Sequence, residues 1–390
     1  MPIEARADAR RSGRIRLGMI GGGEGAFIGA VHRLASRIDD HYEFVAGALS
    51  STAEKSRRSG AALSLAPDRI YDDYESMAKA EAARPDGIEA VAIVTPNHAH
   101  VGPAIAFLRA GFHVICDKPL SLSLAEAKKL KAVVEKSGKI FALTHNYTGY
   151  PLVRRAREMV QSGMLGDIRL VQVEYPQDWL TGAIETTGQK QAAWRVDPKR
   201  SGAGGAVGDI GTHAYNLADY VSGLALSELS AELTVFGAGR TLDDNVQIML
   251  RYANGARGAL WASQVAPGHE NGLRLRIYGD KGGLRWVQAD PNDLFWSPYG
   301  QPTRIITRGG PESGEAAARL TRIPGGHPEG YLEAFANIYS EVALAIKAAR
   351  GGKKPPKGVH FPDIDDGVKG MAFIEAAVKS SKLNGKWVKP

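Results

Sequence analysis

The chain has a single cysteine, Cys116, no long apolar run and no cluster of charge of one sign. One cysteine excludes an internal disulfide and is typical of a protein in a reducing cytoplasm. No apolar run approaches the ~20 residues that a membrane-spanning helix needs, so we predict no membrane partner. The net charge of +7 is spread along the sequence, which suits an anionic cofactor and offers no basic patch to a nucleic acid. We therefore expect a cytoplasmic protein that binds neither nucleic acid nor membrane.

The length of the chain predicts more than one domain, because single cores stop growing near ~250–300 residues. Residues 1–14 carry four arginines and no apolar periodicity. The pair Arg10-Arg11 suits a twin-arginine export signal, but the apolar run that follows is short and broken by glycines. We therefore predict a disordered leader over 1–14, a first domain over 15–145 and a second domain over 146–390.

Strand and helix patterns alternate in the first domain, which predicts an α/β Rossmann domain with a doubly wound parallel sheet. The clearest helical spacing of apolar residues lies in Leu122–Lys136. The predicted strands begin at Ile15 and continue with Phe44–Leu49, Ile88–Val94, Phe112–Cys116 and Ile140–Leu143. Ligands of such sheets bind beyond the carboxyl ends of the strands, so the residues after each strand matter most.

The second domain has a different pattern and predicts an α+β fold with a large, mostly antiparallel, open-faced sheet. A helix over Leu152–Ser162 leads into it, and Gln288–Pro328 is its least regular part. Two C-terminal helices, Tyr331–Ala349 and Asp365–Leu383, are expected to pack back on the Rossmann domain. The predicted strands are Ile168–Tyr175, Leu229–Phe236, Val246–Tyr252, Gly258–Gln264, Leu273–Tyr278 and Gly283–Val287.

A glycine turn, Gly21 to Ala26, follows the first strand and precedes a helix start. In this arrangement Gly21 permits the tight turn, Gly23 lets the backbone approach a pyrophosphate, and Ala26 lets the helix pack close to the strand. The free N–H groups of the helix start then attract phosphate. Glycine-rich turns without a ligand are common, but the position between strand and helix favours a nucleotide.

Two polar turns follow the next strands. After Val94 comes Thr95-Pro96-Asn97, whose amide suits a ribose or carboxamide, although for an isolated Pro-Asn a turn with a helix cap is the preferred interpretation. After Cys116 comes Asp117-Lys118-Pro119. A lysine displayed in a cleft exchanges protons readily when it is desolvated, whereas an ordinary surface lysine does not. The tripeptide alone does not separate these two interpretations.

A third group lies in the second domain, where Asp209 and His213 stand four residues apart after a run of glycines. On a helix they share one face, which suits a proton-handling pair. An N-cap aspartate with a core histidine is the alternative, and the flanking glycines count against it because they indicate close backbone approach to another group. The other histidines complete no ligand spacing, so we predict no metal.

Together these motifs resemble the glucose–fructose oxidoreductase and inositol dehydrogenase superfamily, Gfo/Idh/MocA. The resemblance rests on Gly21–Ala26, on Asp117-Lys118-Pro119 and on Gly204–His213, which follow one another in the family order. Within the superfamily the chain is most similar to the scyllo-inositol and L-glucose dehydrogenase group, through Asn146-Tyr147-Thr148-Gly149-Tyr150 and His327-Pro328-Glu329-Gly330. Asp117 takes the place of the family's usual glutamate.

The resemblance implies an enzyme that moves a hydride between nicotinamide C4 and a hydroxyl-bearing carbon of a sugar, inositol or related polyol. Lys118, Asp209 and His213 would handle the proton, and either Lys118 or His213 would be the base. The implied substrate contacts are Lys118, Tyr147, Trp194, Arg195, Thr212 and His213. The implied cofactor contacts are Gly21, Gly23, Gly25, Ala26, Phe27, Ser50, Ser51, Lys55, Arg57, Thr95, Pro96, Asn97, His100, Asp117, Lys118 and Asn146.

The end of the second strand bears on the cofactor. NAD-binding folds usually place a carboxylate there for the ribose 2′-hydroxyl, but this chain has Ser50 and Ser51, followed by Lys55, Arg57 and Arg58. Hydroxyls and cations suit a 2′-phosphate, so we predict NADP over NAD. The cations could equally decorate an exposed helix.

Two other functions share the same motifs. Some members of the superfamily are glycosidases that oxidise a sugar carbon transiently and eliminate the aglycone, and others bind the dinucleotide as silent regulators. The presence of Lys118, Asp209 and His213 favours an enzyme. The family habit also implies a homo-oligomer, dimer or tetramer, formed through the open face of the C-terminal sheet.

Overall fold

The computed structural model describes residues 13–390, so all but the last two residues of the predicted leader lie outside the described part. The chain forms two compact units. The first holds the residues up to Ser121 together with Ala125–Gly149 and Tyr331–Val368, and the second holds Leu122–Leu124, Tyr150–Gly330 and Lys369–Pro390. Within the described residues, no helix is both long and apolar enough to cross a membrane.

The first unit contains a parallel sheet of five strands in the order β2-β1-β3-β4-β5. Its central strands are apolar and buried, as expected for strands covered on both faces. The chain turns outward in opposite directions from β1 and β3, so a crevice opens between their carboxyl ends. The strands are β1 (Ile15–Gly21), β2 (Tyr42–Ala48), β3 (Ala90–Val94), β4 (His113–Cys116) and β5 (Phe141–Leu143).

Helices alternate with these strands, which confirms the predicted Rossmann fold. They are α1 (Phe27–Ile38), α2 (Ala53–Ala62), α3 (Tyr74–Ala83), α4 (Val101–Arg109) and α5 (Leu124–Ser137). A later helix, α11 (Tyr331–Arg350), belongs to this unit and buries Phe335, Tyr339 and Val342 in its core. Tyr42 donates its hydroxyl proton to the Tyr339 carbonyl at 2.9 Å, which joins β2 to α11.

The second unit contains a mostly antiparallel sheet of eight strands, in the order β13-β12-β11-β10-β6-β9-β8-β7. Its one parallel pair among the described residues is β6 with β9. Its strands are β6 (Ile168–Pro176), β7 (Leu226–Thr234), β8 (Asn245–Tyr252), β9 (Arg257–Ser263), β10 (Arg274–Gly279), β11 (Gly282–Val287), β12 (Asp293–Pro298) and β13 (Arg304–Thr307). The segment Gln288–Pro328, predicted as the least regular part, therefore contributes two strands and a short helix.

Helices cover one face of this sheet. Along β8, Val246, Ile248 and Leu250 are buried, whereas Gln247 and Met249 point to the exposed face. This alternation confirms the predicted open-faced α+β architecture. The helices outside the first unit are α6 (Pro151–Gln161), α7 (Lys190–Arg195), α8 (Pro198–Ser201), α9 (Thr212–Ser222), α10 (Gly314–Ala318) and most of α12 (Ile364–Lys382).

Candidate active site

The glycine turn after β1 makes close backbone contacts. Gly21 pairs with Val94 in the sheet register and has a φ of +77°, so the turn needs a residue that tolerates positive φ. Gly23 donates its N–H to the Leu49 carbonyl at 3.1 Å. A Cβ on Gly23 would lie 2.6 Å from that oxygen. The approach of the Leu49 carbonyl is thus a second reason for glycine at this position, and the predicted approach to a pyrophosphate stays a prediction.

The close packing of helix on strand lies at a different residue from the one predicted. A Cβ on Gly29, in α1, would lie 2.4 Å from the Cα of Gly22. Gly29, rather than Ala26, is thus the small residue that lets α1 approach the turn. The first turn of α1 therefore begins directly beside the glycine turn.

The N-terminal end of α1 has the character of an anion site. Ala26 is the N-cap residue and makes no side-chain cap hydrogen bond within the described part of the chain, and no acidic residue stands in the first turn. The backbone N–H groups there, with the positive end of the helix dipole, suit a phosphate. Gly25 has a φ of +75°, and Phe27 is 65% exposed, so both lie on the open side of this turn.

The cations after β2 have carboxylate partners. The Arg57 guanidinium donates twice to Asp72, at 3.0 and 2.7 Å. Arg58 pairs with Glu24 at 2.8 Å, a residue of the glycine turn itself. Lys55 is half-buried. Ser50 accepts the Thr52 N–H on its hydroxyl at 3.4 Å, and Ser51 is exposed. The residues predicted to bind a 2′-phosphate thus lie beside the glycine turn. Among them, Arg57 and Arg58 already form ion pairs.

The turn after β3 is held by a buried histidine. His100 is fully buried, with Nε2 2.9 Å from the Thr95 carbonyl and Nδ1 2.8 Å from the Pro119 carbonyl. Burial lowers the pKa of His100, and a neutral ring donates to one carbonyl at a time. His100 therefore joins two turns and has no ring nitrogen left for a cofactor, which departs from its predicted role. Asn97 is 5% exposed and Pro96 half-buried in the same turn.

The Asp117-Lys118-Pro119 turn follows β4 and contains a cis peptide bond before Pro119. Asp117 Oδ1 accepts the Lys118 N–H at 3.0 Å and the Thr144 hydroxyl at 2.8 Å. The Asp117 carboxylate thus braces the turn and links it to the end of β5. Lys118 is half-buried, and its charge reinforces burial in lowering the pKa of His145 to about 3. Because Lys118 follows β4 and the glycine turn follows β1, both lie at the edge where the parallel strands end.

The segment after β5 contributes two predicted contacts. Asn146 is buried, and its Nδ2 has no hydrogen-bond partner among the described residues. A buried amide donor without a partner is uncommon and needs an explanation such as a bound ligand. Tyr147 is also buried and packs edge-on against Tyr331 at 6.5 Å. Gly21, Thr95, Lys118 and Asn146 thus follow neighbouring strands at one edge of the first unit.

In the second unit, Asp209 is a hub of hydrogen bonds. Its Oδ2 accepts from Arg195 Nε at 3.1 Å and from Gln264 Nε2 at 2.8 Å. Arg195 also lies over the Trp194 ring, 4.4 Å from its centroid, and 5.8 Å from that of Trp179. The predicted residues Trp194, Arg195 and Asp209 therefore form one cluster, to which the structure adds Trp179 and Gln264.

The predicted close backbone approach at the glycines before Asp209 is present at Gly205. The buried Asp243 carboxylate accepts the Gly205 N–H at 2.6 Å and the Val207 N–H at 2.8 Å. A Cβ on Gly205 would lie 2.1 Å from the Asp243 carbonyl oxygen. The close approach at Gly205 is thus made by the protein's own backbone. Burial raises the pKa of Asp243 to about 6, although the two N–H donors favour its charged form.

Asp209 lies in a π-helical turn, Val207–Gly211, that runs directly into α9. Asp209 and His213 would share one face on a regular α-helix, but the wider π-helical turn changes the angle between their side chains. His213 is 8% exposed, with its ring centroid 6.4 Å from that of Tyr175. Thr212 is buried with its hydroxyl facing Gly370 of α12. Thr212 is therefore packed, and His213 retains a small exposed part.

A polar network missed by sequence reasoning surrounds Tyr175. Asn271 Oδ1 accepts the Tyr175 hydroxyl at 2.7 Å and Gln177 Nε2 at 2.8 Å, and Gln177 Oε1 accepts Trp179 Nε1 at 3.0 Å. Tyr175 lies in β6, Gln177 and Trp179 follow that strand, and Asn271 precedes β10. No local sequence motif marks these residues. A candidate metal cluster of three or more His, Cys, Asp or Glu residues is absent from the described residues.

Comparisons with known proteins cover both units. The model of an oxidoreductase family with an NAD-binding Rossmann fold matches residues 15–145. The model of the Gfo/Idh/MocA C-terminal domain matches residues 153–285. Together these two matches span most of the chain and contain every predicted site residue except Asn146 and Tyr147, which lie between the two matched ranges.

Individual proteins are similar over the same range. A crystal structure of an oxidoreductase from Sinorhizobium meliloti is 56% identical, with a TM-score of 0.88 over 96% of this chain and 99% of that one. An inositol dehydrogenase homologue from Azotobacter vinelandii, solved with NADH and myo-inositol, is 35% identical, with a TM-score of 0.90 over 97% and 98%. Levoglucosan dehydrogenase from Pseudarthrobacter phenanthrenivorans is 31% identical over 69% of this chain and 73% of its own length.

Proposed function

Because the chain belongs to the Gfo/Idh/MocA oxidoreductase family, we propose that it is an NAD(P)-dependent dehydrogenase of an inositol, a sugar or a related polyol. The observation that carries this proposal is the position of Lys118. It stands at the carboxyl end of β4, on the sheet edge that also holds the glycine turn and the partnerless Asn146 amide. A cation at that edge suits a reacting hydroxyl beside a bound dinucleotide.

The residues at this edge fit a dinucleotide. The N–H groups at the start of α1 would hold the pyrophosphate, and the turns at Thr95 and Asn146 would hold the nicotinamide half. When bound, the nicotinamide supplies the site that accepts or returns a hydride. The chain's own contribution is to position the hydroxyl and to move its proton, which we assign to Lys118, His213 and Asp209.

The groups around Asp209 suit a polyol as the substrate. The cluster around Asp209 offers charged and amide groups with aromatic faces, from Arg195, Gln177 and Trp179. Such groups suit vicinal hydroxyls, which both donate and accept hydrogen bonds. Two of the similar proteins support the same class of substrate. One was solved with myo-inositol, and the other is a levoglucosan dehydrogenase.

The test is cofactor reduction with a panel of inositols, aldoses and anhydrosugars, run with NAD and with NADP. The proposal expects a stereospecific rise in reduced nicotinamide with at least one compound. A flat trace throughout, despite measurable cofactor binding, would contradict the dehydrogenase assignment. A Lys118→Met variant in parallel separates catalysis at this site from contaminating activity.

We also infer a homo-oligomer formed through the open face of the eight-stranded sheet. Met249 and Ile305 are more than half exposed on their strands, and Leu170 nearly so. Apolar side chains in this number on one face favour burial against a second copy. Met249→Lys should shift the mass measured by light scattering toward the monomer. An unchanged mass for Met249→Lys combined with Leu170→Lys would contradict this interface.

We infer a cytoplasmic location from the single cysteine, which is buried and whose pKa is raised by burial. A chain that forms no internal disulfide is typical of a reducing compartment. Fractionation of the native host cell checks this inference, and recovery in the exported fraction would contradict it.

A further inference from the structure

Gln264 is fixed by its backbone at the end of β9. Its N–H donates to the Asp244 carbonyl at 2.8 Å, and its own carbonyl accepts the Leu180 N–H at 2.9 Å. The side chain is 2% exposed. A buried glutamine held at both backbone groups has few places to direct its amide, and an unpaired amide there would be costly.

The amide is directed at Asp209. Gln264 Nε2 lies 2.8 Å from Asp209 Oδ2, the same oxygen that accepts from Arg195 Nε at 3.1 Å. Two donors on one oxygen hold the carboxylate in a single orientation and favour its charged form. The Arg195 contact comes from a short helix that is partly open to solvent, whereas the Gln264 contact is enclosed.

The dipeptide Asp243-Asp244 fixes the backbone on the Gln264 side and on the Asp209 side of this contact. The Asp244 carbonyl holds the Gln264 N–H, and the adjacent Asp243 carboxylate holds the Gly205 and Val207 N–H groups. Gly205 in turn accepts the Asp209 N–H on its carbonyl at 2.9 Å. The positions of Gln264 and Asp209 are therefore both set by the dipeptide Asp243-Asp244.

We propose that Gln264 is a positioning residue for the Asp209–His213 pair and sets the orientation and charge of Asp209 through its side-chain amide. This inference rests on the proposed function, since Asp209 matters for catalysis only if the site handles a proton. The Gln264 amide donates to Asp209, so we expect its removal to act on turnover rather than on substrate binding.

The kinetic test compares Gln264→Met with Ser263→Ala, a matched change at the neighbouring buried residue, whose hydroxyl lies 3.5 Å from the Asp244 carbonyl. We expect Gln264→Met to lower kcat about tenfold, the usual effect of one lost hydrogen bond to a charged group, with KM nearly unchanged. The acid limb of the pH profile of kcat should also move. Ser263→Ala should change neither quantity.

A second test does not depend on activity. Gln264→Glu places a carboxylate against Asp209, and two carboxylates at this distance resist joint ionisation. The Tm of this variant should fall further below that of the wild type at about pH 8 than at about pH 5. Adding Asp209→Asn restores an amide–carboxylate pair with reversed roles, so the double variant should recover most of the loss.

The outcomes separate the two proposals. If the wild type is active, two results together would overturn the positioning role. They are a Gln264→Met kinetic profile equal to that of Ser263→Ala, and no rescue of Gln264→Glu by Asp209→Asn. If no polyol reduces the cofactor with the wild type, the proposed function fails and the Tm cycle alone decides the contact. Rescue together with a selective loss of kcat supports both.

Discussion

Gly29 in α1 lies against Gly22 in the preceding turn so closely that a Cβ on Gly29 would be 2.4 Å from the Gly22 Cα. This contact sets where the helix begins relative to the glycine turn. Gly29→Ala must push the helix away, so it should destabilise the protein by about 1–3 kcal/mol and weaken cofactor binding severalfold.

Urea unfolding and cofactor titration measure these two effects. Gly182→Ala is the matched control, because a Cβ there meets nothing within 4 Å and its backbone is not left-handed. Unfolding free energy and affinity of Gly29→Ala equal to those of the control would show that the turn tolerates displacement of the helix.

Lys118 should be needed for turnover and dispensable for the cofactor. Lys118→Met keeps much of the length and removes the ammonium, so we expect kcat to fall by about a hundredfold or more. The dissociation constant of the cofactor, from fluorescence titration, should change little. Near-normal turnover would remove Lys118 from the chemistry.

The preference for NADP over NAD should depend on Ser50. A carboxylate at the end of β2 repels a 2′-phosphate and binds a 2′-hydroxyl, so Ser50→Asp should lower the NADP-to-NAD preference by about tenfold. The structure places Arg57 and Arg58 in ion pairs, so the predicted NADP preference depends on how far these pairs open. An unchanged preference in kcat/KM would show that the cations are surface decoration.

Buried histidines, His32 and His145 among them, make the free energy of unfolding fall in mild acid. Burial lowers the pKa of His32 to about 4 and that of His145 to about 3, from an ordinary value of 6.5. Below pH 6.5 these histidines become protonated in the unfolded chain. In the folded chain they stay neutral until the pH falls to their lowered pKa, about 4 for His32 and about 3 for His145. The free energy of unfolding should therefore decrease as pH falls through this window, by roughly 1.4 kcal/mol per pH unit for each histidine.

Urea unfolding at stepped pH checks this prediction. His32→Asn should flatten the slope, because the substituted side chain does not titrate. His98→Asn is the control, since His98 is exposed. Equal slopes for the wild type and His32→Asn would contradict the assigned cause.

The periodicity of the sequence predicted both architectures, because buried strands and amphipathic helices leave strong local patterns. It missed β12 and β13, whose short runs lie among prolines and glycines; β12 is stabilised by pairing with β11, and β13 by pairing with β12. The glycines before Asp209 correctly indicated a close backbone approach, but the sequence did not identify the group that approaches Gly205, which is Asp243, 38 positions away.

The candidate site was predictable only where a motif is local. Lys118 and Asp209 follow recognisable turns, whereas Gln264 and Asn271 reach the Asp209 and Tyr175 groups from distant strands. Long-range side-chain pairs depend on sheet register, which one sequence does not specify. His100 shows the reverse error, because its place in a motif hid its buried, structural use.

The most direct test of the account is isotope transfer from a polyol to the nicotinamide. An active inositol or sugar carrying deuterium at the oxidised carbon is turned over, and the reduced cofactor is examined by mass spectrometry and NMR. The account predicts one deuterium at nicotinamide C4 on a single face, with loss of the transfer in Lys118→Met. Reduced cofactor without deuterium, or release of an aglycone with no net reduction, would contradict it.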